Sequence, residues 1–282
     1  MKIGAALALE WLADLGGVRE VAQGLDAAGF DSVACPGHLL SSAAGRYPER
    51  PSANYSLPYR DPFVLFGYLA GVTRRIRLRT GVLILPLLPT ALVARQAADL
   101  SIISGGRLDL GIGVSWQRAE YDALGARFED RGARMEEQIE VLRLLWTRPL
   151  VSYRGRHHAI DELGLLELPP APIPIWIGCR PQERPLRRVA RLADGWLPLV
   201  DPTPHLDALR AHAGQAGREA GAIGVAARLF ASPDGEALAA EVIRLRDAGV
   251  SEITLRPPPG VGPEQGVAEM VAVRRALGAL ID

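Results

Sequence analysis

The fold is decided by a repeating unit whose clearest copy is Ser104-Gly105-Gly106-Arg107-Leu108-Asp109-Leu110-Gly111-Ile112-Gly113-Val114-Ser115-Trp116. The pair Gly105-Gly106 is typical of a helix end, because glycine readily adopts the left-handed conformation that closes a helix. The run Leu108–Gly113 is short and mostly apolar, as expected of a strand buried on both faces. A helix end, a buried strand and a loop therefore follow one another within this stretch.

The same order recurs in both directions from this unit. Runs typical of buried strands are Ile3–Leu7, Ser32–Cys35, Ile76–Leu85, Leu108–Gly113, Pro174–Gly178, Gly195–Val200, Val225–Ala231 and Glu252–Arg256. Helical segments separate these runs, and 282 residues is an ordinary length for a barrel of this kind. The alternation predicts an α/β fold, a single (β/α)8 TIM barrel with residues 1–282 as one domain. An open doubly wound sheet is the alternative.

Helix start and stop signals support this alternation. An oxygen-bearing residue precedes proline at three predicted helix starts, namely Asp61-Pro62, Thr203-Pro204 and Ser232-Pro233. Proline suits the first helical position, where its missing N–H costs nothing. Stop signals lie before the next strand at Ala28-Gly29, Gly105-Gly106, Ala193-Asp194-Gly195 and Ala248-Gly249. The segment Gly132–Trp146 carries apolar residues at helical spacing and predicts a helix that buries one face.

Two insertions interrupt the pattern, one after the second strand and one before the fifth. The first, Gly37–Arg60, is a long polar loop. The second, Pro149–Pro172, contains Val151–Arg156, which predicts one arm of a small hairpin, and ends in a proline-rich segment. Long loops at strand ends serve as lids or substrate walls in some barrels and as spacers in others, so both interpretations stay open.

Charge and residue usage exclude several classes of function. The 32 basic and 32 acidic residues give zero net charge, so neither nucleic acid nor a membrane surface is an expected partner. Lys2 is the only lysine, which excludes a Schiff-base or P-loop lysine. Glu10 and Asp14 interrupt the apolar N-terminal run, which therefore predicts a first strand and not a signal peptide. We expect a soluble, cytoplasmic protein.

The two cysteines, Cys35 and Cys179, are too few for a disulfide scaffold or a cysteine-based metal site. They end the second and fifth predicted strands, which are not neighbours in an eight-stranded ring. Their Cα atoms should therefore lie beyond the ~7 Å limit for a disulfide. Both are predicted to be free thiols.

Reactive groups in a barrel lie at the C-terminal ends of the strands and in the loops that follow. These positions hold Leu9-Glu10, Pro36-Gly37-His38, Leu83-Ile84, Val114-Ser115-Trp116, Gly178-Cys179-Arg180, Leu199, Asp201 and Arg256. The set predicts neither a Ser-His-Asp triad nor a metal site. One histidine, small residues, an indole and arginines suit a flat organic cofactor, which brings its own reactivity.

Two other motifs carry little functional weight. Gly111-Ile112-Gly113 lies inside a strand and lacks the third glycine and the acidic residue of a dinucleotide-binding fingerprint. His157-His158 is sequential, so its two rings should point apart, and we interpret it as a solvated loop pair.

A series of motifs in fixed order spans most of the chain. They are Ser104–Trp116, Glu120-Tyr121, Leu124-Gly125, Phe128, Arg131-Gly132, Leu142, Leu145 and Trp146 in the centre, Gly29–Ser32, His38–Leu40 and Arg75–Leu83 before it, and Ile175–Gly178 and Asp194–Pro198 after it. In order and spacing the chain resembles the luciferase-like family of flavin and deazaflavin oxidoreductases. Within that family it is most similar to the branch that depends on coenzyme F-420.

The resemblance implies where a cofactor would bind. Members of the family commonly have a non-proline cis peptide in the third strand, against which the flavin or deazaflavin ring rests, and the matching bond here is Gly81–Val82. Val82 and Trp116 would pack on the ring, while Gly178 and Arg180 would contact the phosphate. The implied cofactor-binding set is Gly81, Val82, Val114, Ser115, Trp116, Gly178, Cys179 and Arg180.

The resemblance also implies hydride transfer between coenzyme F-420 and a small organic substrate. His38 is the predicted catalytic residue, because an imidazole can accept or deliver a proton near neutral pH. Glu10, after the first strand, is the expected orienting partner of His38. Glu10 and Arg256 are the predicted substrate contacts. A homodimer is expected.

Three departures from the family pattern keep other functions open. Gly37 stands where many relatives have an acidic residue, Cys179 stands where a second glycine is common, and Trp116 stands near the glutamate of the sugar-phosphate dehydrogenases. That dehydrogenase activity is therefore not expected. The alternatives are an FMN-dependent monooxygenase that uses oxygen and a barrel that has lost catalysis and acts as a binding protein.

Overall fold

The computed structural model of the protein describes residues 1–43, 45–47, 57, 59–232 and 235–281. Eight parallel strands form a closed barrel: β1 (Lys2–Ala6), β2 (Ser32–Gly37), β3 (Arg77–Ile84), β4 (Leu108–Gly113), β7 (Ile175–Cys179), β8 (Gly195–Pro198), β9 (Gly224–Phe230) and β10 (Glu252–Arg256). A separate two-stranded hairpin consists of β5 (Val151–Arg154) and β6 (Ala159–Leu163). Each predicted barrel strand is confirmed, with ends that move by one or two residues at most positions.

The ring closes through the pairing of the first and last strands. Its order is β1-β10-β9-β8-β7-β4-β3-β2, and Gly4 of β1 lies opposite Ser32 on one side and Thr254 on the other. This closure confirms the (β/α)8 barrel and excludes an open sheet. Cys35 and Cys179 are both free thiols, as predicted, because β3 and β4 lie between their strands.

Helices surround the barrel: α1 (Leu15–Ala27), α2 (Pro62–Val72), α3 (Thr90–Ser104), α4 (Arg118–Ala123), α5 (Arg131–Thr147), α6 (Glu183–Leu192), α7 (Leu206–Gln215), α8 (Gly235–Ala248) and α9 (Pro263–Ile281). Asp61 caps α2 as predicted, since its carboxylate accepts a hydrogen bond from the Val64 N–H. Thr203-Pro204 instead opens a short 3-10 turn, because Asp201 accepts from the Thr203 N–H, and α7 begins after that turn. The start signal Ser232-Pro233 includes a proline outside the described residues. Across the described ranges, no helix has the length and apolar character that a membrane span requires.

Both predicted insertions are present. The first separates β2 from α2, and its positions 44, 48–56 and 58 lie outside the described residues. The second contains the β5–β6 hairpin, whose turn packs on α5. Glu137 of α5 accepts hydrogen bonds from the Arg156 and His157 N–H groups and from Nδ1 of His158.

The interpretation of His157-His158 as a solvated pair is wrong for His158. Its side chain is only 11% exposed, its Nδ1 lies 2.9 Å from Glu137 Oε1, and its Nε2 lies 2.6 Å from Thr90 Oγ1. Gln138 Nε2 also donates to Thr90 Oγ1, so the threonine hydroxyl can give its own proton to His158. The partners of His158 lie on α3 and α5, far from it in sequence, so the local sequence does not show that this loop histidine is packed inside the protein.

A buried ionic cluster closes the barrel floor, at the N-terminal ends of the strands. Arg79 Nη1 lies 2.5 Å from Glu252 Oε1, and Arg79 Nη2 lies 2.9 Å from Asp109 Oδ2. Arg77 adds a second guanidinium at 2.6 Å from Asp109 Oδ1, and Arg79 stacks 4.1 Å from the Trp176 ring centroid. Two guanidiniums thus face two carboxylates. Because each buried charge has a counter-charge, the cluster is a structural element of the core.

Candidate active site at the barrel mouth

The floor cluster defines which residues point into the barrel. Asp109, Trp176 and Glu252 face the interior, and side chains alternate between the two faces of a strand. Each second residue toward the C-terminal end therefore also faces inward. These positions are Gly111 and Gly113 on β4, Gly178 on β7, Ala226 and Arg228 on β9, and Thr254 and Arg256 on β10. Small residues on β4 and β7 leave that side of the mouth open.

Val82 forms the wall beneath this opening. The Gly81–Val82 peptide is cis, as the family resemblance predicts. A Cβ atom at Gly113 would lie 2.8 Å from Val82 Cγ2, and one at Gly178 would lie 2.7 Å from Val82 Cγ1. Both distances are too short for carbon atoms, so only glycine leaves Val82 in its place. Val82, Gly113 and Gly178 thus pack closely as an apolar patch, which we call the Val82 shelf.

His38 directly follows β2, whose last residue, Gly37, lies opposite Leu83 and against the Val82 carbonyl, so His38 is near the Val82 shelf. Its Nδ1 is 2.7 Å from Oε2 of Glu120, and its ring stacks at a tilt on Tyr59 with 5.2 Å between centroids. The other oxygen of Glu120 accepts hydrogen bonds from the Leu39 and Leu40 N–H groups, at 3.0 and 3.2 Å. One carboxylate thus fixes both the imidazole and the backbone that carries it.

Glu120 is held in place by the turn after β4 and by α4. Its neighbour Tyr121 is fully buried and donates a hydrogen bond of 2.6 Å from its hydroxyl to the Val114 carbonyl. Ser115 adopts a positive φ of 52°, and its Oγ accepts a hydrogen bond from the Gln117 N–H. A non-glycine residue in this conformation marks a tightly specified turn. The turn directs α4 back across the mouth, toward β2.

The electrostatics of the pair define the tautomer of His38. Burial raises the pKa of Glu120, but hydrogen bonds from His38 and from the Leu39 and Leu40 N–H groups outweigh this effect and hold the pKa below its ordinary value. Glu120 is therefore ionised at neutral pH and can only accept hydrogen bonds. His38 Nδ1 must then carry the proton that it shares with Glu120, so Nε2 is the acceptor nitrogen of the neutral ring.

The expectation that Glu10 orients His38 is wrong. Glu10 lies on an exposed turn of 3-10 helix, Leu9–Ala13, and the partner of His38 is Glu120. Gly37 explains how this chain differs from relatives with an acidic residue there. A Cβ atom at Gly37 would lie 3.2 Å from the Val82 carbonyl oxygen and 3.0 Å from Pro62 Cγ. A larger residue at that position would require Pro62 or the Val82 carbonyl to shift, and Glu120 supplies the carboxylate from another loop.

The remaining predicted cofactor contacts surround the Val82 shelf. Trp116 packs edge-on against Tyr47, with ring centroids 4.9 Å apart, so it links the loops after β2 and β4. Cys179 is half-buried and its carbonyl accepts from Trp196 Nε1; burial raises the pKa of its thiol to about 12. Arg180 is exposed at the end of β7. The structure thus brings His38, Val82, Trp116 and Gly178 to one side of the mouth.

The opposite side of the mouth carries positive charge. Arg228 of β9 and Arg256 of β10 both face inward and both reach solvent. Arg256 stacks on the ring of Phe230, with its guanidinium carbon 4.7 Å from the centroid. Partial desolvation and the neighbouring charge of Arg256 both lower the pKa of Arg228. Arg256 was predicted from its strand-end position, whereas Arg228, inside a predicted strand, was missed.

Comparison with known proteins agrees with this architecture. Residues 3–246 match the family described as luciferase-like monooxygenase, and the chain belongs to that family. The uncharacterized protein Rv0940c of Mycobacterium tuberculosis is 34% identical over 252 residues, which is 86% of each chain.

Solved structures show the same fold at low sequence identity. An F420-dependent secondary alcohol dehydrogenase, in complex with an F420-acetone adduct, superposes with a TM-score of 0.82 at 17% identity and covers 98% of both chains. The monooxygenase RslO1 from Streptomyces bottropensis superposes with a TM-score of 0.81 at 19% identity and covers 100% of both chains. At these identities the likeness establishes the fold alone.

Sequence reasoning missed two residues that the structure places at the mouth, Glu120 and Arg228. Glu120 stands in the Glu120-Tyr121 motif that carries the family resemblance, but its role depends on a contact with His38 across 82 residues. Arg228 breaks an apolar run on β9. In a barrel strand, alternation from an inward residue would have marked it as a charge inside the ring.

Proposed function

We propose that this protein is an oxidoreductase that transfers a hydride between coenzyme F-420 and a small organic substrate. The observation that carries the proposal is the His38–Glu120 pair beside the Val82 shelf. An apolar patch, near an imidazole whose Nε2 can accept a proton, suits a ring cofactor that carries hydride while the protein moves the proton.

The residues present fit such a cofactor. The Val82 shelf exists only because Gly113 and Gly178 have no Cβ atoms, so a cradle is already formed where a flat ring needs one. Val82 would support the ring and Trp116 would close its edge. The Gly178 N–H and the exposed Arg180 would hold a phosphate. The bound deazaflavin would supply the two-electron chemistry that no side chain at this mouth can provide.

The protein's own contribution is the handling of one proton at Nε2 of His38. Ionised Glu120 keeps the proton on Nδ1, so Nε2 of the neutral ring is the basic nitrogen. It can accept a proton from a substrate hydroxyl during oxidation, or return one to a carbonyl oxygen in the reverse direction. Glu120 stabilises the imidazolium that forms and is a positioning residue, because it acts through His38.

The same geometry argues against a barrel that has lost catalysis. The carboxylate of Glu120 aligns the imidazole of His38 at a mouth that is open to solvent, an arrangement that suits a ligand-binding site. His158 differs in its place, because it lies between α3 and α5, where Thr90 and Glu137 engage its two ring nitrogens.

The test is a titration of the purified apo-protein with coenzyme F-420 and, separately, with FMN, followed by cofactor fluorescence. The proposal predicts saturable, one-to-one binding of F-420 and weaker binding of FMN. Preference for FMN, followed by oxygen consumption, would replace it with the flavin monooxygenase alternative. Binding of neither would leave the barrel without a redox function.

A further inference from the structure

Arg228 and Arg256 form a like-charge pair inside the barrel mouth. Arg228 lies opposite Thr254 in the pairing of β9 with β10, and Arg256 is two residues further along the strand. Adjacent strands lie about 5 Å apart and two residues span about 6.6 Å, so the two inward side chains are diagonal neighbours. Their mutual repulsion is a cost that the fold carries.

Neither guanidinium has a carboxylate partner within the described part of the chain. Arg228 makes one long hydrogen bond, 3.4 Å from Nη2 to the Pro198 carbonyl oxygen. The guanidinium carbon of Arg256 lies 4.7 Å from the Phe230 ring centroid, a contact that orients the guanidinium without neutralising its charge. By contrast, the inward-facing Arg79 at the floor meets two carboxylates at 2.5 and 2.9 Å.

From this uncompensated pair we infer that Arg228 and Arg256 form an anion subsite for the substrate, which therefore carries a carboxylate, phosphate or similar group. Two guanidinium forks on adjacent strands suit a planar or tetrahedral oxyanion, which accepts several N–H groups at once. The inference rests on the proposed function, since the anion would orient the rest of the substrate toward the Val82 shelf and His38.

The pair is assigned to the substrate and not to the phosphate of the cofactor because of its place in the ring. The Val82 shelf is formed by β3, β4 and β7, and of the proposed phosphate contacts Gly178 lies on β7 and Arg180 directly follows it. Arg228 and Arg256 lie on β9 and β10, with β8 between them and β7. Substrate and cofactor thus approach each other from opposite walls.

The test compares thermal unfolding in phosphate and in chloride at equal ionic strength, without cofactor. The double variant R228Q/R256Q removes the pair, and the matched control R19Q/R275Q removes two exposed arginines from α1 and α9. At a phosphate concentration near ten times its Kd, the wild type and the control should gain about 2–4 °C in Tm over R228Q/R256Q. Phosphate also stabilises proteins in general, but this effect raises the Tm of the wild type and of both double variants alike, so it cancels in the comparison.

Three further measurements complete the test. In chloride, R228Q/R256Q should unfold no lower than the wild type, since a repulsion is removed, and each single variant should lose part of the phosphate effect. An equal phosphate effect in all proteins would overturn the inference. The F-420 affinity of R228Q/R256Q should stay within twofold of the wild type, and a tenfold loss would assign the pair to the cofactor and overturn it. Absence of F-420 binding in the wild type would refute the proposed function without touching the phosphate result.

Discussion

Arginine side chains point into the barrel at both of its ends, but only those at the floor are paired with carboxylates among the described residues. At the floor, Arg79 is 4% exposed, meets Glu252 and Asp109, and stacks on Trp176. At the mouth, Arg228 and Arg256 point into the same ring, yet face each other and meet no carboxylate among the described residues.

The difference shows how structural and functional charge can be separated. A buried charge whose partners are all present contributes to the specificity of the fold, and loss of one partner exposes the full desolvation cost of the others. A charge without a counter-charge, at a place open to solvent, is hydrated and remains available to an anionic ligand. The charges of the floor are paired within the protein, whereas those of the mouth would be paired by the proposed substrate anion.

The largest expected effect is at the floor. Arg79→Met leaves Asp109 and Glu252 buried with less positive charge, and should lower the free energy of unfolding by about 3–5 kcal/mol, measured by chemical denaturation. The matched mouth variant, Arg256→Met, should lose less than about 0.5 kcal/mol. Equal losses at the two ends would remove the distinction between them.

The second effect concerns the two histidine–glutamate pairs. His38→Ala should lower turnover by roughly 10²-fold or more while cofactor affinity stays nearly unchanged, because His38 is the proposed proton carrier. His158→Ala should leave turnover intact and lower stability by about 1–3 kcal/mol, because Thr90 and Glu137 lose their partner. If His38→Ala weakened cofactor binding and spared turnover at saturating cofactor, the histidine would be a packing residue.

A smaller effect is expected at the Val82 shelf. Gly178→Ala places a Cβ atom 2.7 Å from Val82 Cγ1, so the valine must move, and cofactor affinity should fall about tenfold in a fluorescence titration. Gly67→Ala is the control, because a Cβ atom there meets nothing within 4 Å. An unchanged affinity in Gly178→Ala would mean that no ligand rests on the shelf.

The smallest effect is the pH dependence of Glu120. Its pKa is lower in the folded protein than the ordinary value of 4.5, so its ionised form stabilises the fold above that pH, and this contribution is lost as the pH falls through the folded pKa. Glu120→Gln should be less stable at pH 7 by about 1 kcal/mol. The gap should narrow below pH 4.5 in unfolding curves measured against pH. A gap that stays constant would mean that the charge of Glu120 does not contribute.

The barrel was predictable because its signals are local. Strands buried on both faces, such as Leu108–Gly113, give apolar runs that differ from the polar, glycine-bounded segments around them. One arm of the β5–β6 hairpin was also predicted from Val151–Arg156, while the mostly exposed arm Ala159–Leu163 has no such run. Helix caps were predicted less accurately than strands. Thr203 was expected to cap a helix, but Asp201 accepts the hydrogen bond from the Thr203 N–H at the start of the 3-10 turn before α7.

The site was only partly predictable, because its contacts join distant residues. His38 was found from its place after a strand, and Gly81–Val82 from the family resemblance. The partner of His38 was predicted wrongly as Glu10. The sequence does not show that the turn at Ser115 and the burial of Tyr121 bring α4, with Glu120, over the mouth. The role of His158 depends likewise on Thr90, which lies 68 residues away.

The most direct test of the central claim is a crystal structure of the protein with bound coenzyme F-420. The account predicts the deazaflavin ring against Val82, with Nε2 of His38 directed to the reacting face and the guanidiniums of Arg228 and Arg256 on the opposite wall, clear of the cofactor phosphate. A cofactor bound outside the mouth, or His38 turned away from the ring, would contradict it.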